Sequence, residues 1–299
     1  MKNRNTTTMR QLFQNKQPFS LSEAIRKVCA NQLQAGSADL IKRRGGKLVV
    51  FANDTIGNAI SASGFYEWTE LEAIFDFLKP LHEQFNRSLA LDIGANIGNH
   101  SIYFSRYFKA VHAFEPHPLT YRLLDINASL YRRITIHNYA LSDSCGNAHL
   151  HENPTNLGGS RIEQTKEDTI NITLKKLDDL DFRKEDIALI KIDVEGHEAN
   201  VLRGGIKTLQ QTMPIVLFEA HATDFDSTME EVNLLKHLGY RFAWIQPLGT
   251  GYKKYAKLLA MLINGQKIRQ ICTAESIPRA DHSMIIAVPL RWQPLLGME

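Results

Sequence analysis

Asp92, Gly94, Asn96 and Gly98 alternate through LALDIGANIGNH, residues 89–100, where an apolar run reaches a carboxylate and turns through small residues into a helix-like stretch. A strand that ends in glycines lets the backbone approach a ligand without Cβ obstruction, and a helix starting there offers free N–H groups. Glu115 closes a second apolar run, VHAFEP, at the spacing of about 20 residues that suits an acid for ribose hydroxyls. The chemistry implied is the grip of a nucleoside-bearing cofactor. A turn that makes only an Asx hydrogen bond is the structural alternative for the D-x-G segment.

Two cofactor classes use such a turn. A dinucleotide fingerprint needs glycines where this chain has Asn96 and Asn99, one for the approach of a pyrophosphate and one for close helix packing. Asp92 would also repel a pyrophosphate, whereas it would attract the ammonium of a methionine-like group. The pattern D-x-G-x-N-x-G therefore favours S-adenosylmethionine over NAD.

A second group of residues suits proton removal. Asp193, Glu195, His197 and Glu198 follow one apolar run, and Glu219 and His221 end the next. Carboxylates and imidazoles at neighbouring strand ends supply a general base, or oxygen and nitrogen ligands for magnesium or manganese, and a hydroxyl acceptor needs one of these. An amine acceptor chiefly needs its lone pair free. Asp193, Glu219 and His221 form the candidate catalytic set, with His221 as proton acceptor because an unperturbed imidazole titrates near neutrality. For Glu195, His197 and Glu198 a structural reading stands beside this one, since Gly196 permits a tight turn and glutamates favour a helix N-terminus.

The elements that must hold these residues follow from periodicity. Apolar runs at 88–93, 110–114, 134–138, 187–192 and 215–219 alternate with helical stretches, as in a parallel sheet with right-handed crossovers. Each ends in a polar residue, so Asp92, Glu115, Asn138, Asp193 and Glu219 are expected along one sheet edge, where open α/β sheets bind ligands. Residues 240–244 and 283–288 are expected to close the sheet as an antiparallel pair, with a helix over 253–264 inside an insertion reaching 281. Residues 146–180 read as short strands around a flexible segment at 153–160, either a substrate-selecting loop or a surface hairpin. Towards the N-terminus, a helix is expected over 21–33 with Ser20 or Ser22 as cap, strands over 47–52 and 56–61 around Asn53 and Asp54, and a helix over 70–81. Lys42, Arg43, Arg44 and Lys47 around Gly45 and Gly46 read as a solvated hairpin turn.

The chain of 299 residues is 43% hydrophobic and 22% charged, in the ordinary globular range. Its 35 basic and 32 acidic residues leave a net +3, too little to imply a nucleic-acid partner without a clustered basic face. Three scattered cysteines, Cys29, Cys145 and Cys272, suit a reducing, cytoplasmic setting and offer no zinc spacing. The first 20 residues read as a polar tail without a signal-peptide core, and no apolar stretch is long enough for a membrane span. The division expected is a tail over 1–20, a cap region over 21–82 and one main domain over 83–299.

Four stretches, LALDIGANIGNHSIYFS, VHAFEPHPLTYRLLDINASL, HNYALSDSCG and LIKIDVEGHEANVLRGG, resemble the FkbM-type methyltransferases in order and spacing, across about residues 64–219. The resemblance implies an α/β, class I methyltransferase-like (Rossmann-like) sheet and dependence on S-adenosylmethionine. In that setting Asp92 would orient the methionine amino group, Gly94, Asn96 and Gly98 would admit it, Glu115 would take both ribose hydroxyls, and Asn138 or Asp143 would meet the adenine amino group. Glu67, in GFYE, is a further candidate from the cap side, or an acid serving a helix dipole. The expected reaction is O-methylation of a small molecule, sugar or glycan precursor, with a divalent metal as an option. A catalytically silent nucleoside-binding module and an NAD-linked oxidoreductase are the competing readings.

Overall fold

The apolar runs become the strands of one twisted sheet in the computed structural model, which describes residues 20–51, 54–151, 161–163, 169–182, 185–220, 222–247 and 269–298. In chain order the strands are β1 (Leu89–Ile93), β2 (Ala110–Phe114), β3 (Ile134–His137), β4 (Ala140–Leu141), β5 (Gly146–His151), β6 (Arg161–Glu163), β7 (Thr169–Lys175), β8 (Ile187–Ile192), β9 (Ile215–Ala220), β10 (Arg241–Pro247), β11 (Arg269–Ala274) and β12 (His282–Val288). The helices are α1 (Leu21–Arg44), α2 (Thr55–Ser63), α3 (Trp68–Phe77), α4 (His82–Phe85), α5 (Asn99–Phe104), α6 (Pro118–Ser129), α7 (Glu198–Gly204), α8 (Ile206–Thr212) and α9 (Phe225–His237).

The main sheet has the order β11-β10-β12-β9-β8-β1-β2-β3, with β3, β2, β1, β8 and β9 mutually parallel. β12 inserts antiparallel between β9 and β10, and β11 pairs antiparallel on the outer side of β10. The expected pairing of 240–244 with 283–288 is therefore present, extended by β11 from within the stretch read as an insertion. Residues 253–264 lie outside the described residues.

β8 and β1 are buried along their whole length because helices cover both faces. On one face Leu91, Ile93, Ile190 and Phe218 pack against Val201 and Leu202 of α7 and Val232 and Leu235 of α9. On the other, Ala90, Leu189 and Leu217 meet Phe75 of α3 and the aromatic side chains Tyr103 and Phe104 of α5. Strand order reverses direction at β1, with β2 on one side and β8 on the other, so the crevice above their carboxyl ends is the place where this topology accommodates a ligand.

Between β3 and β8 the chain builds a second sheet of order β4-β7-β5-β6. The two short strands expected there are β5 and β7, paired antiparallel, and Leu150, Ile172 and Ala140 form their own small core. Residues 152–160, which include the segment read as flexible, lie outside the described residues.

The N-terminal expectations give way in three places. α1 runs to Arg44 and Gly45 ends it in the left-handed conformation (φ 69°), so Lys42, Arg43 and Arg44 belong to the last turn of a helix and the stretch forms no hairpin. Ser20 is the cap expected, in a capping box with Glu23. No strand is assigned over 47–51, and Asp54 accepts the Gly57 N–H (3.1 Å), starting α2 where a strand over 56–61 was expected. The helix over 70–81 is α3 followed by a 3₁₀ turn at Lys79–Leu81, because Pro80 cannot continue the α-helical ladder. No helix among the described residues is long and apolar enough to cross a membrane.

Candidate active site

Where β1 ends, Gly94 adopts φ 75°, and a Cβ there would lie 1.8 Å from the Asp193 carbonyl oxygen. The ends of β1 and β8 thus touch backbone to backbone, which only glycine permits. Two residues on, Asn96 holds a left-handed conformation (φ 51°) that asparagine tolerates better than most side chains. That turn aims the Asn96 N–H at Glu115 Oε2 (2.9 Å), and the His117 N–H donates to Glu115 Oε1 (2.8 Å). Each carboxylate oxygen is fixed by one backbone donor and keeps a second lone pair. Burial pushes the Glu115 carboxyl up to about 7, with the two backbone donors and Lys191 restraining the rise.

Asp92 is fully buried, accepts a hydrogen bond from the Ser101 hydroxyl and lies 3.6 Å from Lys191 Nζ. It is not among the residues that line the cleft and lies behind them, next to Lys191. Lys191, in the middle of the apolar run of β8, is 2% exposed; its Nζ reaches Asp193 Oδ2 (2.9 Å) and the Gly94 carbonyl (3.3 Å). Burial alone would drive its proton off, but Asp193 and Asp92 outweigh it and hold the ammonium above its usual range.

The cleft above β1, β2 and β8 is lined by Gly94, Asn96, Glu115 and Asp193, with Phe114 and Leu150 among its apolar walls. Leu150 comes from the second sheet, which thus closes one side. Gly98 lies behind the cleft as the residue before α5, where a Cβ would meet Leu124 at 2.8 Å. Asn138 spends its side-chain amide on the Glu115 and Pro116 carbonyls (2.9 and 3.2 Å), bracing the strand end that carries Glu115. Asp143 accepts from Asn200 (3.0 Å) and faces Arg203 (3.7 Å), away from the lining. His197 does line the cleft, paired with the Ser142 hydroxyl at 2.9 Å, and burial lowers its pKa.

A second cavity adjoins the first through Asp193 and Glu195 and is lined by Tyr66, Glu198, Glu219 and Glu231 besides these two acids. Neighbouring strands β8 and β9 bring Asp193 and Glu219 together, as their sequence positions imply. Burial, then Asp193 and Glu67, push the Glu219 carboxyl up to about 9, so it carries its proton at neutral pH. The Tyr66 phenol is pushed up to about 12 by burial, Glu67 and Glu219. Glu198 accepts the Val194 and Gly196 N–H groups (3.1 and 3.3 Å), closing the turn after β8.

Tyr66 is tied to the start of α5 by Asn99, whose side chain accepts the Tyr66 N–H (2.9 Å) and donates to the Tyr66 carbonyl (3.1 Å). Next to it Glu67 faces His100 Nε2 at 3.3 Å. His221 lies outside the described residues, and among the described residues no three His, Cys, Asp or Glu side chains converge as a metal-holding group. Sequence reasoning missed Lys191, Asn99 and Glu231. For Lys191 the signal was present, because a lone lysine inside a buried strand requires acidic partners.

The profile of the methyltransferase FkbM domain matches residues 92–242, just over half of the chain. The hexuronic acid methyltransferase AglP of Haloferax volcanii is 34% identical over 136 residues, covering 44% of this chain and 55% of that protein, so the match spans about half of its length. Among solved structures, an FkbM methyltransferase from Methylobacillus flagellatus is similar with a TM-score of 0.42 at 16% identity, covering 68% of this chain and 44% of that one. A Streptococcus mutans protein solved in complex with SAH is similar with a TM-score of 0.40 at 12% identity, covering 73% and 97%.

Proposed function

This chain belongs to the methyltransferase FkbM domain family, and we propose that it transfers a methyl group from S-adenosylmethionine to a hydroxyl of a sugar or glycan precursor. The observation that carries the reading is the Glu115 carboxylate, clasped by two backbone N–H groups with a lone pair free on each oxygen, beside a cleft that opens into a second cavity through Asp193. The cleft fits the nucleoside. Glu115 would take the ribose hydroxyls, Phe114 and Leu150 would flank the adenine, and the Gly94 to Gly98 turn would give the backbone its close approach. Bound there, S-adenosylmethionine supplies an electrophilic methyl group on a positively charged sulfur.

The chain's own work is positioning and proton handling. Asp193, kept beside the Lys191 ammonium, accepts a hydrogen bond from a hydroxyl next to the reacting one, and protonated Glu219 donates one to a neighbouring oxygen, which leaves the proton of the reacting hydroxyl for a separate base. The hydroxyl proton passes to His221, which follows Ala220 at the end of β9. Asp92, Asn138 and Asp143 act by holding these groups in place. The methyltransferase named in the Haloferax relative acts on a hexuronic acid, which supports a sugar as the substrate class.

Calorimetric titration with S-adenosylhomocysteine, together with transfer of labelled methyl from S-adenosylmethionine into a saccharide panel, tests the reading. Glu115→Ala is expected to abolish both binding and turnover, His221→Ala turnover alone. Wild-type protein that releases no heat with S-adenosylhomocysteine would end the proposal.

A further inference from the structure

The turn over 94–98 is held from behind by one amide. Within the turn and its strand, the Gly94 and Ala95 N–H groups donate to the Phe114 carbonyl (3.0 Å each) and the Gly98 N–H donates to the Ala95 carbonyl (2.9 Å). The Ile97 carbonyl is served from outside, by Asn127 Nδ2 of α6 at 2.8 Å. Asn127 is fully buried and Ile97 is 2% exposed, so a carbonyl left unpaired there would be costly.

The same side chain reaches the N-terminal segment. Its Oδ1 accepts the Val49 N–H (2.6 Å), and its Nδ2 also donates to the Val49 carbonyl (3.0 Å). Two residues earlier the Tyr131 hydroxyl treats Lys47 alike, accepting its N–H (2.7 Å) and donating to its carbonyl (3.1 Å). Alternate residues of an extended chain turn both backbone groups to one side, so Asn127 and Tyr131 stand where a partner strand would. Leu124, Asn127 and Tyr131, spaced by three and four, share one face of α6 and its C-terminal turn, and Leu124 packs against Ala95 of the cofactor turn. With one N–H against its oxygen and two carbonyls against its nitrogen, the amide has a single satisfied orientation.

We infer that Asn127 is a positioning residue for cofactor binding. By holding the Ile97 carbonyl it sets the turn that aims the Asn96 N–H at Glu115, and by holding Val49 it makes the segment over 47–49 part of that setting. The inference rests on the cofactor reading above and deepens it, because Asn127 is not among the residues lining the cleft. α6 is joined to the ribose acid at its other end too, where His117 caps the helix and its N–H donates to Glu115 Oε1. One helix thus carries both supports of the nucleoside grip. A ligand that steadies the turn must, by linkage, steady the Val49 contact in return.

The test is calorimetric titration of the full chain with S-adenosylhomocysteine, for the wild type, Asn127→Ala and Tyr131→Phe, each well below its melting temperature. Hydrogen exchange at the Val49 amide of the wild type is followed with and without S-adenosylhomocysteine. Asn127→Ala is expected to weaken binding roughly tenfold, whereas Tyr131→Phe, which releases only the exposed Lys47 backbone, should bind as the wild type does. The Val49 amide should exchange more slowly once S-adenosylhomocysteine is bound, a response that a purely structural asparagine would not give. Unchanged affinity in Asn127→Ala overturns the inference, and so does equal weakening in Tyr131→Phe, which would assign the effect to the segment over 47–49 alone. A Val49 exchange rate that S-adenosylhomocysteine leaves unmoved overturns it as well, and decides the matter if Asn127→Ala does not fold. Failure of the wild type to bind S-adenosylhomocysteine removes the cofactor reading itself.

Discussion

Glu115 is pulled two ways. Its burial favours the neutral acid, whereas in the proposed role ribose hydroxyls are best received by the charged carboxylate, so the proton held at about 7 would have to leave on nucleoside binding. S-adenosylhomocysteine affinity should therefore rise with pH from about 6 to about 8 and then level off, and Glu115→Gln should bind weakly with a flat profile. Calorimetry across that range checks both, and an affinity in the wild type that is independent of pH would contradict the ribose role. Lys191 poses the complementary case. It is the cation shared by Asp92 and Asp193, so Lys191→Met strands buried negative charge and should cost about 3–5 kcal/mol of stability in denaturant melts. Adding Asp92→Asn should recover part of that loss, because one of the stranded charges is gone; a double variant no better than the single would mean that Lys191 stabilises by packing alone.

At the scale of elements, the joint that matters is Asn99 at the start of α5, which clasps both backbone groups of Tyr66 and so fixes that residue at the wall of the second cavity, the one proposed to take the acceptor. Asn99→Ala leaves that pair without its partner and is expected to cost about 1–3 kcal/mol. Steady-state kinetics should show KM for the methyl acceptor rising well beyond KM for S-adenosylmethionine, since the cofactor turn keeps its own contacts through Gly94 and Asn96. Equal effects on both would place the joint elsewhere. The central strands were legible in the sequence because parallel strands buried on both faces are continuous apolar runs, and their polar ends marked the site edge. α2 was not, since Ile56 and Ile60 at a short interval suit either element until the Asp54 cap is seen to bind the Gly57 N–H. β11 was hidden for a different reason: a strand that joins an edge through backbone pairing needs no apolar pattern of its own. The clasp made by Asn99 was equally silent, being a contact between residues 33 positions apart that no local periodicity encodes.

For the whole molecule, gathering Asp92, Glu115, Asp193 and Glu219 at the carboxyl edge of one sheet crowds carboxyl groups where a cationic sulfur and its acceptor would meet, so that Glu115 and Glu219 hold their protons more tightly than usual, and Lys191 is a buried cation set among them. The expense of that arrangement is a dependence of stability on pH. Between about 7 and about 9, a glutamate in the unfolded chain is ionised while native Glu219 still holds its proton, so the native state binds more protons and stability must fall as pH rises through that window. Below it, His112, His137 and His197 act in the opposite sense: burial keeps them neutral in the native state, with His137 lowered to about 4, and stability falls as pH drops and the unfolded chain takes up protons. The melting temperature of the ligand-free protein should therefore decline on its alkaline side between about 7 and about 9, and Glu219→Gln, neutral at every pH, should remove that decline and make the loss of stability on acidification below about 7 steeper, because the wild-type group offsets part of it. Differential scanning calorimetry of the two proteins decides it, for an alkaline decline of equal slope in both would mean that Glu219 ionises normally and that the acid edge is screened by solvent.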